Sequence, residues 1–176
     1  MRLFFAINFS QETVARLAAL RDELRAASSR GNFSRDENLH LTLAFLGECD
    51  AKQLAAAKSA LDSLKVRPAD VRVDRLGRFR RDGGDVWWAG AAENSALSET
   101  QRELTDKLTA AGFRLESRPY SPHITLAREC VTGFQPRGIT PFGETVRSVE
   151  LMKSERVQGK LTYTAIHRKD ACRGGV

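Results

Sequence analysis

The chain has 176 residues, 41% hydrophobic and 28% charged, which suits one compact domain, or two small lobes sharing a core, that folds without staples. Its net charge of +6 and pI near 9.6 favour an anionic partner such as RNA or a phosphorylated small molecule, or simply keep the surface soluble. No apolar run approaches the ~20 residues that span a bilayer, and the odd set Cys49, Cys130 and Cys172 has no C-x-x-C pair, so a reduced cytoplasmic protein is expected, with neither a disulfide framework nor a zinc site.

Arg2 to Asn8 reads as a buried first strand and lacks the layout of a signal peptide. Ser10 is placed to cap a helix, with Glu12 in its first turn and Val14, Leu17, Leu20, Leu24 and Ala27 at helical spacing. A polar stretch, Ser28 to Asn38, leads into the apolar run Leu39 to Gly47. Asp50 caps a second helix striped by Leu54, Ala57, Leu61 and Leu64, with Pro68 as a stop. Val71 to Phe79 and Asp85 to Ala91 read as strands joined through Asp82-Gly83-Gly84. Asn94 or Ser95 starts a third helix, striped by Leu97, Gln101, Leu104, Leu108 and Ala111 and ended by Gly112. After a second motif-bearing run, Tyr120 to Arg128, two strands close the chain, Glu144 to Lys153 and Leu161 to Arg168, with Asp170 to Val176 as a loose tail.

The order strand, helix, H-x-T-L strand occurs twice. Phe5 precedes His40 by 35 residues and Trp88 precedes His123 by the same 35, while Gln11 and Asn94 share the offset of 83 that separates the histidines. This layout predicts an α+β fold of two similar lobes, each laying a helix on one face of an antiparallel sheet.

The motifs are His40-Leu41-Thr42-Leu43 and His123-Ile124-Thr125-Leu126. Side chains alternate across a strand, so His40 and Thr42 share one face and Leu39, Leu41 and Leu43 the other; the second motif repeats this. With the apolar faces under helices, two histidines and two threonines converge on a cleft if the lobes face each other. Histidine exchanges protons near neutral pH, and displacement at phosphorus needs a base for the attacking oxygen and an acid for the leaving oxygen. The threonine hydroxyls suit the non-bridging phosphate oxygens. One such motif is weak, since a buried strand histidine is the commoner case; two of the three histidines at equivalent positions make the pairing. His167, the third, has no accompanying threonine and reads as a surface or sheet-edge residue.

Both motifs, with Arg2 to Ile7, Glu37 to Glu48 and Pro122 to Arg128 around them, resemble the 2H phosphoesterase superfamily and its RNA 2′,3′-cyclic phosphodiesterase branch, also known as the bacterial 2′-5′ RNA ligases. The resemblance implies a single bilobal domain over residues 1–176 with a positively charged cleft between pseudo-symmetric lobes and helices on the outer face. It implies hydrolysis of RNA 2′,3′-cyclic phosphates, or of cyclic nucleotides, to 2′-phosphomonoesters by a monomer that uses no metal or other cofactor, and the reverse 2′-5′ ligation. It maps the proton donor to His40, the proton acceptor to His123, phosphate-binding residues to Thr42, Thr125 and Arg128, and an aromatic near the nucleobase to Phe45. Strict alternation alone sets Phe45 and Arg128 opposite their histidines, as a core aromatic and a solvated charge; reaching the cleft requires a bulge or a strand end. Tyr120 is a candidate for stacking on a base, a role the resemblance does not carry.

Two other classes compete. An RNA-end-binding module without turnover would use the same charge and cleft, but the intact motifs favour an enzyme. A metal-dependent phosphoesterase would gather several His, Asp or Glu ligands, whereas the residues beside these histidines are Leu, Ile and Thr.

Overall fold

The computed structural model describes residues 1–173. Its elements are β1 (Arg2–Ile7), α1 (Gln11–Ala26), β2 (Ser28–Phe33), a 3-10 turn (Asp36–Asn38), β3 (Leu41–Glu48), α2 (Ala51–Asp62), β4 (Ala69–Phe79), β5 (Asp85–Ala91), α3 (Ser95–Ala110), β6 (His123–Thr132), β7 (Arg137–Val146), β8 (Ser148–Val157) and β9 (Lys160–Asp170). Residues 174–176, within the expected tail, lie outside the described residues; Asp170 itself ends β9.

Helix starts follow their sequence signals. Asp50 and Gln53 form a capping box, each side chain accepting from the other's backbone N–H at 2.8 and 2.9 Å. The Asn94 side chain accepts from Leu97 N at 2.9 Å, and Gly112, at φ +93°, turns the chain out of α3. Ser10 holds the N-cap position of α1 but does not cap it: its N–H and hydroxyl both donate to the Glu144 carboxylate, at 2.9 and 2.8 Å.

The strands form one antiparallel sheet in the order β7-β4-β5-β6-β3-β1-β8-β9, with β2 added to β6. Two halves therefore meet at β3 and β6. Leu3, Phe5 and Ile7 of β1 and the apolar positions of β3 and β6 form one core with Leu17, Leu24, Leu61, Leu104 and Leu108 of the helices. On the opposite sheet face, Phe4, Ala6 and Met152 make a small second cluster with Tyr163 against it. The helices are exchanged between halves more than the repeat predicts: α1, which follows β1, packs on β2, β6 and β7, while α3 touches β3 as well as β4.

Three expectations change. Ser28 to Asn38 is not simply a polar lead-in; it supplies β2 and the 3-10 turn. The closing region holds three strands, and the expected Glu144 to Lys153 strand straddles the end of β7 and the start of β8. The Phe5–Trp88 correspondence is off by one. Phe5 pairs with Ala44 and Trp87 with Ala127, the same position of the two motifs, so the partner of Phe5 is the buried Trp87. No helix among the described residues is long and apolar enough to cross a membrane.

Candidate active site

The cleft opens where β3 leaves β6. The two strands pair through Leu41 and Ile124; beyond that point β6 pairs with β2 instead, from Ala127 onward. The segment between β2 and β3 is pinned. Ser34 donates from its N–H to Leu126 O and from its hydroxyl to Thr125 O, both at 2.9 Å. Arg21, buried on α1, donates to Ser34 O at 2.8 Å and to the Asp36 carboxylate at 2.5 Å. This fixes the approach to His40.

Each histidine is oriented by the carbonyl two residues before it. His40 Nδ1 lies 2.7 Å from Asn38 O and His123 Nδ1 2.7 Å from Ser121 O. A carbonyl only accepts, so each Nδ1 carries the hydrogen, and in the neutral ring each Nε2 keeps its lone pair. His40 Nε2 meets Thr42 Oγ1 at 3.0 Å. His40, Thr42, His123 and Thr125 line one cleft of about 930 Å³.

Phe45 and Arg128 line the same cleft. The register explains how. On β3, Thr42 pairs with Ala6 and Ala44 with Phe5, leaving Leu43 without a partner. On β6, Thr125 pairs with Trp88 and Ala127 with Trp87, leaving Leu126 without one. Each strand thus carries a bulge directly after its motif, and two consecutive residues turn inward: Leu43 with Ala44, and Leu126 with Ala127, all buried. Alternation resumes one residue out of phase, which returns Phe45 and Arg128 to the histidine side. Phe45 is 49% exposed, which rules out the core aromatic that strict alternation suggests. It lies under the Arg2 guanidinium, 4.9 Å from its ring centroid.

Burial is the main cause that pushes the His40 imidazole down to about 4; the charges of Arg128 and His123 act in the same direction, against the Asn38 hydrogen bond. The free site therefore holds His40 neutral at pH 7. Arg128 forms no ion pair among the described residues. Arg2, Arg35, Arg156 and Lys160 add positive charge to the lining. The two lining carboxylates are already paired, Glu48 with the N-terminal ammonium and Glu155 with Lys153, both at 3.0 Å.

Three residues of this site escape the sequence reading. Tyr163 stands edge-on to His40, ring centroids 5.1 Å apart, and Phe4 packs on the same imidazole at 4.9 Å. Asn38 is buried, and its side-chain amide donates to Leu161 O at 3.0 Å, tying the β8–β9 hairpin to the residue that orients His40. The signal for Tyr163 is an aromatic within an expected closing strand, but only the hairpin's return across β1 brings it to His40. Tyr120 does not offer a ring for stacking; it packs against the core, and its hydroxyl donates to Thr42 O at 3.0 Å. His167 is on the edge strand β9, 2.7 Å from the Asp62 carboxylate and apart from the cleft.

The protein-family model described as LigT-like phosphoesterase matches residues 7–88 and 90–162. An Escherichia coli RNA 2′,3′-cyclic phosphodiesterase is 30% identical over 171 residues, covering 95% of this chain and 94% of that one. A relative of the same name from Methanocaldococcus jannaschii is 33% identical over 130 residues, covering 73% and 71%. Another from Geobacillus stearothermophilus is 31% identical over 83% of this chain, which spans only about half (49%) of that protein's length. Among solved structures, a phosphoesterase superposes with a TM-score of 0.82 at 27% identity, covering 98% of both chains. Escherichia coli LigT complexed with 3′-AMP, at 24% identity and 98% of both chains, shares the fold with a TM-score of 0.83. Both histidine motifs fall within the matched stretches, and the chain belongs to the LigT-like phosphoesterases of the 2H superfamily.

Proposed function

We propose that the protein hydrolyses RNA 2′,3′-cyclic phosphate ends to 2′-phosphomonoesters, with His40 as proton donor and His123 as proton acceptor and without a metal ion. The observation that carries this reading is the pairing of two equivalent histidines in one cleft, each with Nδ1 committed to a backbone carbonyl. The names of the relatives supply the substrate class.

In the proposed reaction His123 takes a proton from water as the water oxygen bonds to phosphorus. The bond from phosphorus to the ribose 3′-oxygen breaks, and His40 gives that oxygen its proton. Thr42, Thr125 and Arg128 hold the non-bridging oxygens, and Phe45 lies against the nucleobase. His40 is neutral in the free site, so the bound phosphodiester anion also charges the acid. Its negative charge offsets that of Arg128 and draws a proton onto His40. Catalysis lowers one barrier for both directions, so a 5′-hydroxyl in place of water gives 2′-5′ ligation. We take the working unit to be one bilobal domain, monomeric and cytoplasmic, acting on RNA ends or cyclic nucleotides.

The direct test is an oligoribonucleotide ending in a 2′,3′-cyclic phosphate, with the product isomer identified. Accumulation of the 2′-phosphate is the expected outcome; a 3′-phosphate product, or an unchanged substrate, overturns the reading.

A further inference from the structure

Beside His123 the cleft-side face of the second half continues outward, past the residues that line the cleft. His123 pairs with Gly90 and Thr125 with Trp88 on β5; Trp88 pairs in turn with Gly77, and Gly90 with Arg75, on β4. Antiparallel partners share a face, so Arg75, Gly77, Phe79 and Trp88 lie on the side of the sheet that carries His123. The helices that touch this half, α1 and α3, belong to the opposite face, and no element packs over β4 and β5 here among the described residues.

The aromatic rings are built into this open face. The Trp88 indole lies across two glycines. A Cβ at Gly90 would stand 2.8 Å from Trp88 Cζ3, and one at Gly77 would collide with the far edge of the same ring. Both strand positions give up a side chain to let the indole lie flat. Phe79 packs against Trp88 at 5.4 Å and edge-on to His123 at 5.3 Å. Cations accompany both rings: Arg75 is 5.9 Å from the Trp88 centroid and Arg81 5.8 Å from that of Phe79. Arg75 is partnered by Asp74 at 2.8 Å. Arg81 has no carboxylate on its guanidinium among the described residues, its Nη1 donating to the Arg80 carbonyl at 2.9 Å.

Half-buried aromatic rings on an uncovered sheet face, flanked by arginines, suit unpaired nucleotides, whose bases stack on the rings and whose phosphates meet the guanidinium groups. Hydrolysis of a cyclic mononucleotide needs none of this. We propose that Phe79, Trp88, Arg75 and Arg81 form a subsite for single-stranded RNA, holding the nucleotide adjoining the one that bears the cyclic phosphate. The inference rests on the proposed reading of the cleft as an RNA-end site and extends it from the terminal phosphate to the chain behind it. It makes the protein prefer an oligonucleotide to a mononucleotide.

The test is binding, which does not depend on turnover. A short single-stranded oligoribonucleotide ending in a 2′-phosphate and the matching nucleoside 2′-monophosphate are titrated against the wild type and the Arg75→Gln/Arg81→Gln double variant. The wild type is expected to bind the oligonucleotide at least about tenfold tighter, through the stacked base and the phosphate beside it. The double variant removes most of that preference and leaves mononucleotide affinity within about twofold. The slope of log affinity against log salt falls by about 0.7, the share of the one phosphate held in a single strand. Phe79→Leu, which keeps an apolar side chain but no aromatic face, is expected to reduce the same preference. A wild type without the preference, or a double variant that retains it, overturns the subsite. A preference lost in the variant but no cyclic phosphodiesterase turnover in the wild type leaves the subsite standing and removes the catalytic reading instead.

Discussion

Leu41 and Ile124 stand opposite each other as the register pair that joins β3 to β6, and they occupy the same position of the two H-x-T-L motifs. The pseudo-twofold axis of the molecule therefore passes between them. Every motif residue has its counterpart across this point: His40 and His123, Thr42 and Thr125, the bulged Leu43 and Leu126, and Phe45 and Arg128. The axis preserves the strand geometry but not the chemistry at the last pair, where one half supplies an aromatic ring and the other a guanidinium. In the proposed reaction the ring meets the nucleobase and the guanidinium the phosphate.

Arg128 is the cation that the proposed reaction assigns to the phosphate; it lines the cleft beside the histidines and forms no ion pair among the described residues. Arg128→Ala is expected to lower kcat/KM by about 10- to 100-fold, the loss of a charge-assisted hydrogen bond of roughly 1.5–3 kcal/mol. Arg128→Lys is expected to restore only part of it, because a point charge does not reproduce the planar fork. Steady-state kinetics on a cyclic phosphate substrate reads both; full activity in Arg128→Ala would remove the residue from the site.

The depressed His40 value sets a pH dependence. With the free-site imidazole at about 4, well under the ordinary 6.5, the acidic limb of kcat/KM is expected near pH 4. An acidic limb near 6.5, with none near 4, would contradict the buried environment described for His40. NMR titration of the His40 ring resolves the same point, and a bound phosphate analogue should move its midpoint upward. The linkage to folding has the matching sign. The folded state resists protonation at His40, so this group's contribution to stability is full above about 6.5 and is lost as pH falls toward 4.

Activity is expected to persist in excess chelator after exhaustive dialysis. Two imidazoles supply both proton transfers in the proposed reaction, and no step in it requires a divalent ion. Loss of activity in chelator, regained on adding a single divalent metal, would contradict it.

Tyr120 acts as a strut in this structure. Its hydroxyl reaches from the approach to the second motif to the backbone of the first, at Thr42 O. Tyr120→Phe is expected to lower unfolding stability by about 1 kcal/mol, the net value of one such hydrogen bond, while changing KM little. Thermal or urea denaturation beside kinetics separates this from base stacking, for which KM would rise with stability unchanged.

Much of this architecture is legible along the chain because it is local. The Asp50 and Asn94 caps, the helical stripes and the alternation of each motif depend on neighbours within a few residues. What escapes is set by pairing between distant segments. β2 is polar and lacks alternation; it is a strand because β6 offers a free edge after β3 departs and because Arg21 and Ser34 pin its far end. β7 contains Gly138, Pro141 and Gly143, which argue against a central strand; it is the sheet's edge, where a missing N–H is tolerated. The two bulges leave no mark in the motifs themselves, so alternation alone misplaces Phe45 and Arg128, and only the resemblance sets them in the cleft. Tyr163 lies more than 120 residues from His40 and reaches it through the fold of the β8–β9 hairpin.

The paired action of His40 and His123 is tested most directly by single-turnover cleavage of a 2′,3′-cyclic-ended oligoribonucleotide with His40→Ala and His123→Ala, alongside their affinity for the 2′-phosphate product. Each variant is expected to lose roughly 10²- to 10⁴-fold in rate, the usual share of a general acid or base, while product affinity stays within a few-fold of wild type. Cleavage within a few-fold of wild type in either variant would contradict the two-histidine account.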